Sequence, residues 1–452
     1  MEHENGSYWE RHADAEKVCL DLLEDYKRKN SSLARFEQKL ILRTSARLLD
    51  WVDHILVQDT KRMKEKLGDV GFVKHEGTRY EALYHPGALL PRIVLVGQDS
   101  GMEQGVALRV ESIGDFLQGN GYNSEIEGGP LSPYRRAVVG KEAGVGMMVV
   151  ERRGTMDYDP VSLSDSHLRN YLEGVEAWQS RPRYSKNGDD TFGEIFRIAD
   201  RLVYQMGADT AASIVCQCER AYWMSRNLVA RVQRARHDTL GLGWANHDHH
   251  TFRSSRRNFF RLVELFTRLG FQKRERFYAG AEAGWGAQIM ENTAAGLVLF
   301  LDVDLLPEEL ATEFYRDELR DMDKLGTVGL WCALHGDSIL RAGMHHFAAR
   351  FNFERLIADL ARLGVEYMAP FSNFPYFKQA FSVAERWEVD PARVEKLIRD
   401  TSITNEQGER FLKQGAVGSH LENIERREGY KGFNRKNVST IIRQTDPRRN
   451  IT

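Results

Sequence analysis

Three stretches of this chain carry residue types that can hold a metal ion. They are Asp248-His249-His250-Thr251-Phe252-Arg253, Met344-His345-His346-Phe347 and His420-Leu421-Glu422-Asn423-Ile424-Glu425. A strand alternates its side chains between two faces, so the first stretch, read as a strand, puts His249, Thr251 and Arg253 on one side and His250 and Phe252 on the other. Two imidazoles and one carboxylate from different strands can occupy one face of an octahedral iron(II), leaving the opposite positions for substrate and oxygen. The expected set is His249, His346 and Glu422. His247, His250, His345 and His420 are near enough to substitute if the register differs. Glu425 lies an odd number of residues from Glu422 and so falls on the other strand face.

Arg253 shares the expected face of His249 and is suited to a carboxylate, which a guanidinium grips with paired charge-assisted hydrogen bonds. Its ordinary alternative is a salt bridge to a neighbouring acid. Gln288, Phe371, Ser372, Asn373, Ser402 and Arg443 are further candidates for a substrate pocket. His54 and Glu151 resemble a partial site without a second histidine, which points to a structural role. Gly140 to Gly146 lacks the Gly-Lys-Ser/Thr ending of a phosphate loop, so no nucleotide cofactor is expected.

The elements that must position these residues recur. Trp51 to Val57 reads as a strand, followed by a helix-like segment closing at Gly71-Phe72. Asp248-His249 likewise leads into a helical run, Asn258 to Leu269, closing at Gly270-Phe271. Matching Asp53-His54 to Asp248-His249 implies an internal duplication with a period of almost two hundred residues. Each half reads as two βαβββ units. Strand candidates at Tyr80 to Tyr84, Ile93 to Val96 and Gly105 to Val110 precede a closing Gly146 to Gly154. Those at Gly286 to Met290, Gly296 to Asp302 and His345 to Phe351 precede Leu421 to Gly429.

The expected organisation is N-terminal helices over 1–50, broken at Asn30-Ser31-Ser32; a degenerate module over 51–157; a helical connector over 158–245; and a metal-binding module over 246–452. In the connector, Phe192 to Met206 and Ala211 to Arg234 carry the strongest helical pattern. Asn187-Gly188-Asp189-Asp190 and Gly241-Leu242-Gly243 read as turns.

At 452 residues the chain is long enough for two domains or two repeated halves. Hydrophobic residues at 42% and charged residues at 28% fit a globular protein with a substantial core. The 63 basic and 65 acidic residues give a net charge of -2, spread without a dominant field, which argues against nucleic acid or an anionic membrane as partner. Cys19, Cys216, Cys218 and Cys332 are too scattered for a disulfide framework or a zinc site, and Met1 to Arg11 has no apolar signal core. A reducing, cytoplasmic setting, a small-molecule substrate and an unspecified oligomeric state are the expectations.

Paired βαβββ units with a histidine on the first strand, a second on the later equivalent strand and a glutamate on the last strand resemble the vicinal-oxygen-chelate superfamily. Its members include glyoxalases, extradiol dioxygenases and 4-hydroxyphenylpyruvate dioxygenase. The C-terminal half is similar to the iron(II)-dependent 2-oxoadipate dioxygenase/decarboxylases, whose motifs run Asp-His-x-Ala-Phe-Arg, Asn-His-Phe-Thr and Glu-Phe-x-Glu-Arg. Thr251, His345, Ala348 and Asn423 replace the motif alanine, asparagine, threonine and phenylalanine. The resemblance implies an α+β fold of tandem modules, His249, His346 and Glu422 as iron ligands, Arg253 on a substrate carboxylate, and oxygen-dependent decarboxylation and hydroxylation of a 2-oxo acid. The alternatives are a redox-neutral metal-dependent lyase or isomerase of the glyoxalase type, and a non-catalytic small-molecule binding protein.

Overall fold

The computed structural model describes residues 9–76, 80–97, 103–184, 191–281, 283–434 and 445–449. Helices α1 (Ala13–Lys29) and α2 (Ser31–Thr44) are separated at Asn30, as expected. The Asn30 side chain accepts from the Leu33 amide at 3.1 Å and donates to the Val145 carbonyl at 2.9 Å, so one residue caps α2 and pins it to the sheet behind.

The first sheet follows: β1 (Val52–Gln58), α3 (Lys61–Asp69), β2 (Val73–His75), β3 (Ala82–Tyr84), β4 (Arg92–Val96), β5 (Gly105–Arg109), α4 (Ile113–Asn120), β6 (Tyr134–Glu142) and β7 (Val145–Arg152). The strand expected from Trp51 begins one residue later, because Leu48–Trp51 forms a 3-10 turn. Strand order is β2-β3-β4-β1-β5-β7-β6, with β1 parallel to β4 and antiparallel to β5. The first unit is βαβββ. The second departs from that expectation: among the described residues an isolated bridge between Glu127 and Arg136 stands in place of one strand.

The connector is helical: α5 (Asp165–Ser180), α6 (Thr191–Met206), α7 (Ala208–Ser225) and α8 (Leu228–Asp238). The helical pattern expected over Ala211 to Arg234 is carried by two helices, α7 and α8. Asn227 breaks it, its side chain accepting from the Ala230 amide at 2.8 Å to cap α8 and reaching Ser419 Oγ at 3.3 Å. The turn expected at Asn187 to Asp190 lies outside the described residues.

The second sheet comprises β8 (His247–Arg253), α9 (Phe259–Arg268), β9 (Gln272–Tyr278), β10 (Trp285–Asn292), β11 (Leu297–Asp304), α10 (Thr327–His335), β12 (His346–Arg350), α11 (Phe353–Ala361), β13 (Ser372–Phe374), β14 (Phe377–Phe381), β15 (Glu385–Trp387), α12 (Pro391–Arg399), α13 (Asn405–Gln414) and β16 (Ala416–Arg426). Its order is β13-β14-β16-β12-β8-β11-β10-β9, with β15 pairing β16 to one side. Here β8 is parallel to β11 and antiparallel to β12, and β12 is parallel to β16. These are the relations of β1 with β4, β1 with β5, and β5 with β7 in the first sheet. The fold class is α+β with two mixed sheets, and the duplication is legible strand by strand. Unlike the plain units expected, α12 and α13 are inserted before the closing strand, and α10 with a π-helical turn over Ser338–Ala342 stands between the two units.

One continuous core joins the back faces of both sheets to the helices: Ile55, Val106, Leu108 and Val149 from the first sheet, Phe252, Leu299, Phe347 and Leu421 from the second, and Trp178 and Trp223 from the connector. Helix α9 shows the local logic, burying Phe259, Leu262, Val263, Leu265 and Phe266 along one stripe. Each such side chain contributes about 1.5–3 kcal/mol. Among the described residues no helix is long and apolar enough to cross a membrane.

Candidate metal centre

Strand register sets the geometry. Ala348 of β12 lies opposite His249 of β8 on one side and Glu422 of β16 on the other, and His346, two residues earlier, shares its face. The imidazole Nε2 atoms of His249 and His346 lie 3.2 and 3.0 Å from the same oxygen, Glu422 Oε2. One ligand-type atom from each of the three residues falls within 4.8 Å of the other two. Glu422 is carried by a strand buried along its whole length, which fixes its backbone before any ligand arrives.

Neighbouring groups orient these side chains. A register shift between Ala348 and Ala349, facing His249 and His247, makes Asp248 the extra residue of a β-bulge. The bulge sets the Asp248 carboxylate 3.0 Å from His249 Nδ1, and Arg426 holds that carboxylate from behind at 2.7 and 3.0 Å. A proton on Nδ1 leaves the Nε2 lone pair for a metal, the arrangement that ligating histidines commonly use. Gln379 Nε2 donates to Glu422 Oε1 at 2.7 Å and is itself fixed through Ser372 Oγ at 2.8 Å. Thr251 Oγ1 lies 2.8 Å from His346 Nε2.

Charge is concentrated here. Burial works against the His249 imidazolium, but Glu422 and Asp248 outweigh it and raise the pKa to about 9. Burial alone would raise Glu422, yet the two histidines pull it down to about 2. His346 is lowered by burial to about 4, with Glu422 partly opposing. A proton shared among three ligand-type groups is what a cation would displace. The donor set, two imidazole nitrogens and a carboxylate oxygen with the other carboxylate oxygen already bonded, fits a divalent transition metal.

The centre opens into a cavity of about 600 Å³, part of it continuous with solvent, walled by Phe277, Trp285, Phe300, Phe371, Phe381 and Phe433. Arg253 lines it, 6% exposed, with no carboxylate within salt-bridge distance and with Nε and Nη1 free of hydrogen bonds among the described residues. Beside it Asp302, on the paired strand β11, is raised by burial to about 7 despite Arg253, and its Oδ1 has no hydrogen-bond partner among the described residues.

The other sequence candidates divide. Phe371 and His345 line the cavity, and Ser372 acts through Gln379. Gln288 is a correction: its amide bonds the Glu275 and Ile289 carbonyls at 3.1 and 3.0 Å, which keeps it out of the cavity. Asn373 is another, exposed on the opposite face of β13 from Ser372, and Ser402 sits in the turn after α12, its amide on the Leu397 carbonyl at 2.9 Å. Arg443 lies outside the described residues. His250 packs on Phe347 behind the sheet with a ring separation of 5.1 Å, and His420 Nδ1 bonds the Ser382 carbonyl at 2.9 Å. Glu425 points away from Glu422 and accepts from the Phe353 amide at 2.6 Å. Asp302 and Gln379 are cavity residues that sequence reading missed. The signal for Asp302 is an acid on a strand whose other members before Asp304 are apolar.

The first sheet keeps the frame and loses the ligands. His54 Nδ1 bonds Asp53 at 2.8 Å and Arg152 holds Asp53 at 2.8 Å, repeating Asp248, His249 and Arg426. Across β5 and β7, however, His54 faces Ala107 and Ala107 faces Met148, so Met148 stands at the Glu422 position and Gly105 at that of His346. Leu56, Val94, Tyr134 and Tyr158 fill the space.

No protein-family model and no curated protein matches the chain. Among solved structures, the chain is similar to methylmalonyl-CoA epimerase from Mycobacterium tuberculosis, at 11% identity over 40% of this chain and 87% of that one, TM-score 0.23. It is similar to a mutant of 4-hydroxymandelate synthase from Streptomyces coelicolor at 12% identity, over 74% and 94%, TM-score 0.28. It also resembles the uncharacterized protein YdcJ from Shigella flexneri, which includes domain DUF1338, at 10% identity, over 58% and 73%, TM-score 0.25. These likenesses are distant, and the chemistry of the site rests on its own geometry.

Proposed function

We propose that the C-terminal half is a non-haem iron(II) dioxygenase acting on a small 2-oxo acid or related carboxylate, with decarboxylation and hydroxylation of the substrate. The observation that carries this reading is the convergence of His249, His346 and Glu422 in one cavity with an Arg253 that has no carboxylate within salt-bridge distance among the described residues. Iron(II) bound by the three side chains would supply the electrons for oxygen chemistry.

The chain's own residues set the rest. Arg253 grips the substrate carboxylate and so fixes which end faces the three ligand residues. The aromatic walls exclude water, strengthening that ion pair. Asp248 keeps the His249 proton on Nδ1, and Gln379 holds the free oxygen of Glu422 in place.

A redox-neutral lyase or isomerase is the second reading, favoured by Asp302: a cavity carboxyl near neutrality is suited to moving a proton on substrate carbon. Metal content of anaerobically purified protein, compared with His249→Ala, His346→Ala and Glu422→Ala, and then oxygen uptake over a panel of 2-oxo acids, tests both. Iron lost in the variants with oxygen uptake by the parent supports the dioxygenase. Metal without uptake, but with solvent deuterium entering substrate, transfers the assignment to the second reading. Folded protein that binds no metal removes both.

A further inference from the structure

A second cavity lies where the first sheet, the connector and the second sheet meet, on the far side of β8 from the metal centre. Its lining holds four arginines, Arg109, Arg152, Arg153 and Arg220, against a single carboxylate, Glu111. That carboxylate is already bound by Arg220 and by Arg234, the latter at 2.6 Å. Arg152 is taken up by Asp53 at 2.8 Å and Arg153 by Glu151 at 2.6 Å.

Arg109 has nothing comparable. Its hydrogen bonding among the described residues is one long contact from Nη2 to the Ala295 carbonyl at 3.4 Å, and no carboxylate lies within 4.0 Å of it. Burial and the neighbouring arginines lower its pKa to about 10, with Asp53 opposing, so the guanidinium still carries its charge at neutral pH. Arg152, 3% exposed, leaves Nη2 without a hydrogen-bond partner among the described residues. His247 also lines the space, its Nε2 bonded to the Gly296 carbonyl at 3.0 Å. A concave site with several guanidinium forks and surplus positive charge is complementary to a compact dianion, which takes several forked hydrogen bonds at once.

We propose that this cavity binds a phosphate group, free or on a small metabolite, with Arg109 as the principal cation. The four arginines come from the first sheet and the connector while the floor comes from the turn before β11, so the ligand bridges all three parts of the chain. The site is separate from the metal centre and does not depend on the reaction catalysed there.

The test is titration calorimetry of the full chain with inorganic phosphate and, in parallel, with glycerol phosphate, using the parent, Arg109→Met, Arg109→Lys and Arg253→Met. Binding by the parent of either compound, weakened about tenfold or more in Arg109→Met and less in Arg109→Lys, with Arg253→Met unchanged, is the expected result. The tighter of the two compounds tells free ion from ester. Absence of binding to both at tens of millimolar, equal binding by Arg109→Met, or loss in Arg253→Met alone overturns the proposal. If Arg109→Met fails to fold, equal affinity of Arg109→Lys and the parent overturns it as well.

Discussion

Gly105 and Gly146 pair so closely across β5 and β7 that a Cβ on Gly105 would lie 2.0 Å from the Gly146 carbonyl oxygen. Gly105 occupies the place that His346 holds in the second half, where the opposing residue is His420. No side chain fits there, so the first cup cannot regain a second histidine by point substitution.

A single metal ion per chain is therefore expected, lost in His249→Ala and retained in His54→Ala. Mass spectrometry of the intact protein under native conditions reads this directly. Two ions per chain, or loss in His54→Ala, would contradict the degenerate first cup.

Asp248 touches no proposed substrate but fixes the His249 ring. Asp248→Asn should keep all three ligand residues and weaken metal affinity by about 10- to 100-fold. Competition against a chelating dye measures it; unchanged affinity would show that the bulge carboxylate serves Arg426 alone.

Arg253→Met should leave metal content intact and lower kcat/KM by about 10- to 100-fold, the equivalent of a charged hydrogen-bonded pair. Arg253→Lys keeps the charge but not the fork and should recover part of the loss. Equal activity of all three forms would place the substrate carboxylate elsewhere.

Stability should fall in mild acid. His237 and His335 are buried and lowered to about 3, by burial first, with hydrogen bonds from the imidazoles to the Gly243 and Val417 carbonyls opposing. An imidazole whose folded pKa is depressed holds fewer protons than the unfolded chain below pH 6.5, so stability is lost as pH falls from 6.5 toward 3. Each contributes up to about 1.4 kcal/mol per pH unit once the unfolded imidazole is fully protonated, and about 1 kcal/mol over the first unit below 6.5. Urea unfolding at pH 6.5 and 5.5 should differ by about 2 kcal/mol from this pair, and His237→Gln should roughly halve that part of the difference. A midpoint that does not move with pH would refute it.

The ligand stretches were readable because they sit on strands, where parity alone decides the face: Glu422 and Glu425 separate as their odd spacing requires. The duplication was readable because Asp-His and Gly-Phe recur in order. The bulge at Asp248 was not, since one extra residue leaves no compositional mark; yet it moves His247 to the side of His250, with ring centroids 5.9 Å apart. Asp302, Gln379 and four of the aromatic walls come from β9, β10, β11 and β14, with Phe371 just before β13 and Phe433 after β16, and only the curl of the sheet brings them to one cavity. Gln288 was misplaced because the amide nitrogen of a polar residue on a buried strand can bond neighbouring backbone carbonyls and leave the side chain out of the cavity.

Strand β16 enters the sheet between β12 and β14 although it follows both in sequence. A ribosome therefore adds His249 and His346 before Glu422, and the growing chain has two of the three candidate residues while residues 347–422 are made. The first sheet, whose strands are all finished by Arg152, can close early on its own apolar cup. On the proposed reading, metal loading would wait for the arrival of one strand, and a nascent or truncated product ending before β16 would carry a pair of histidines but no complete centre.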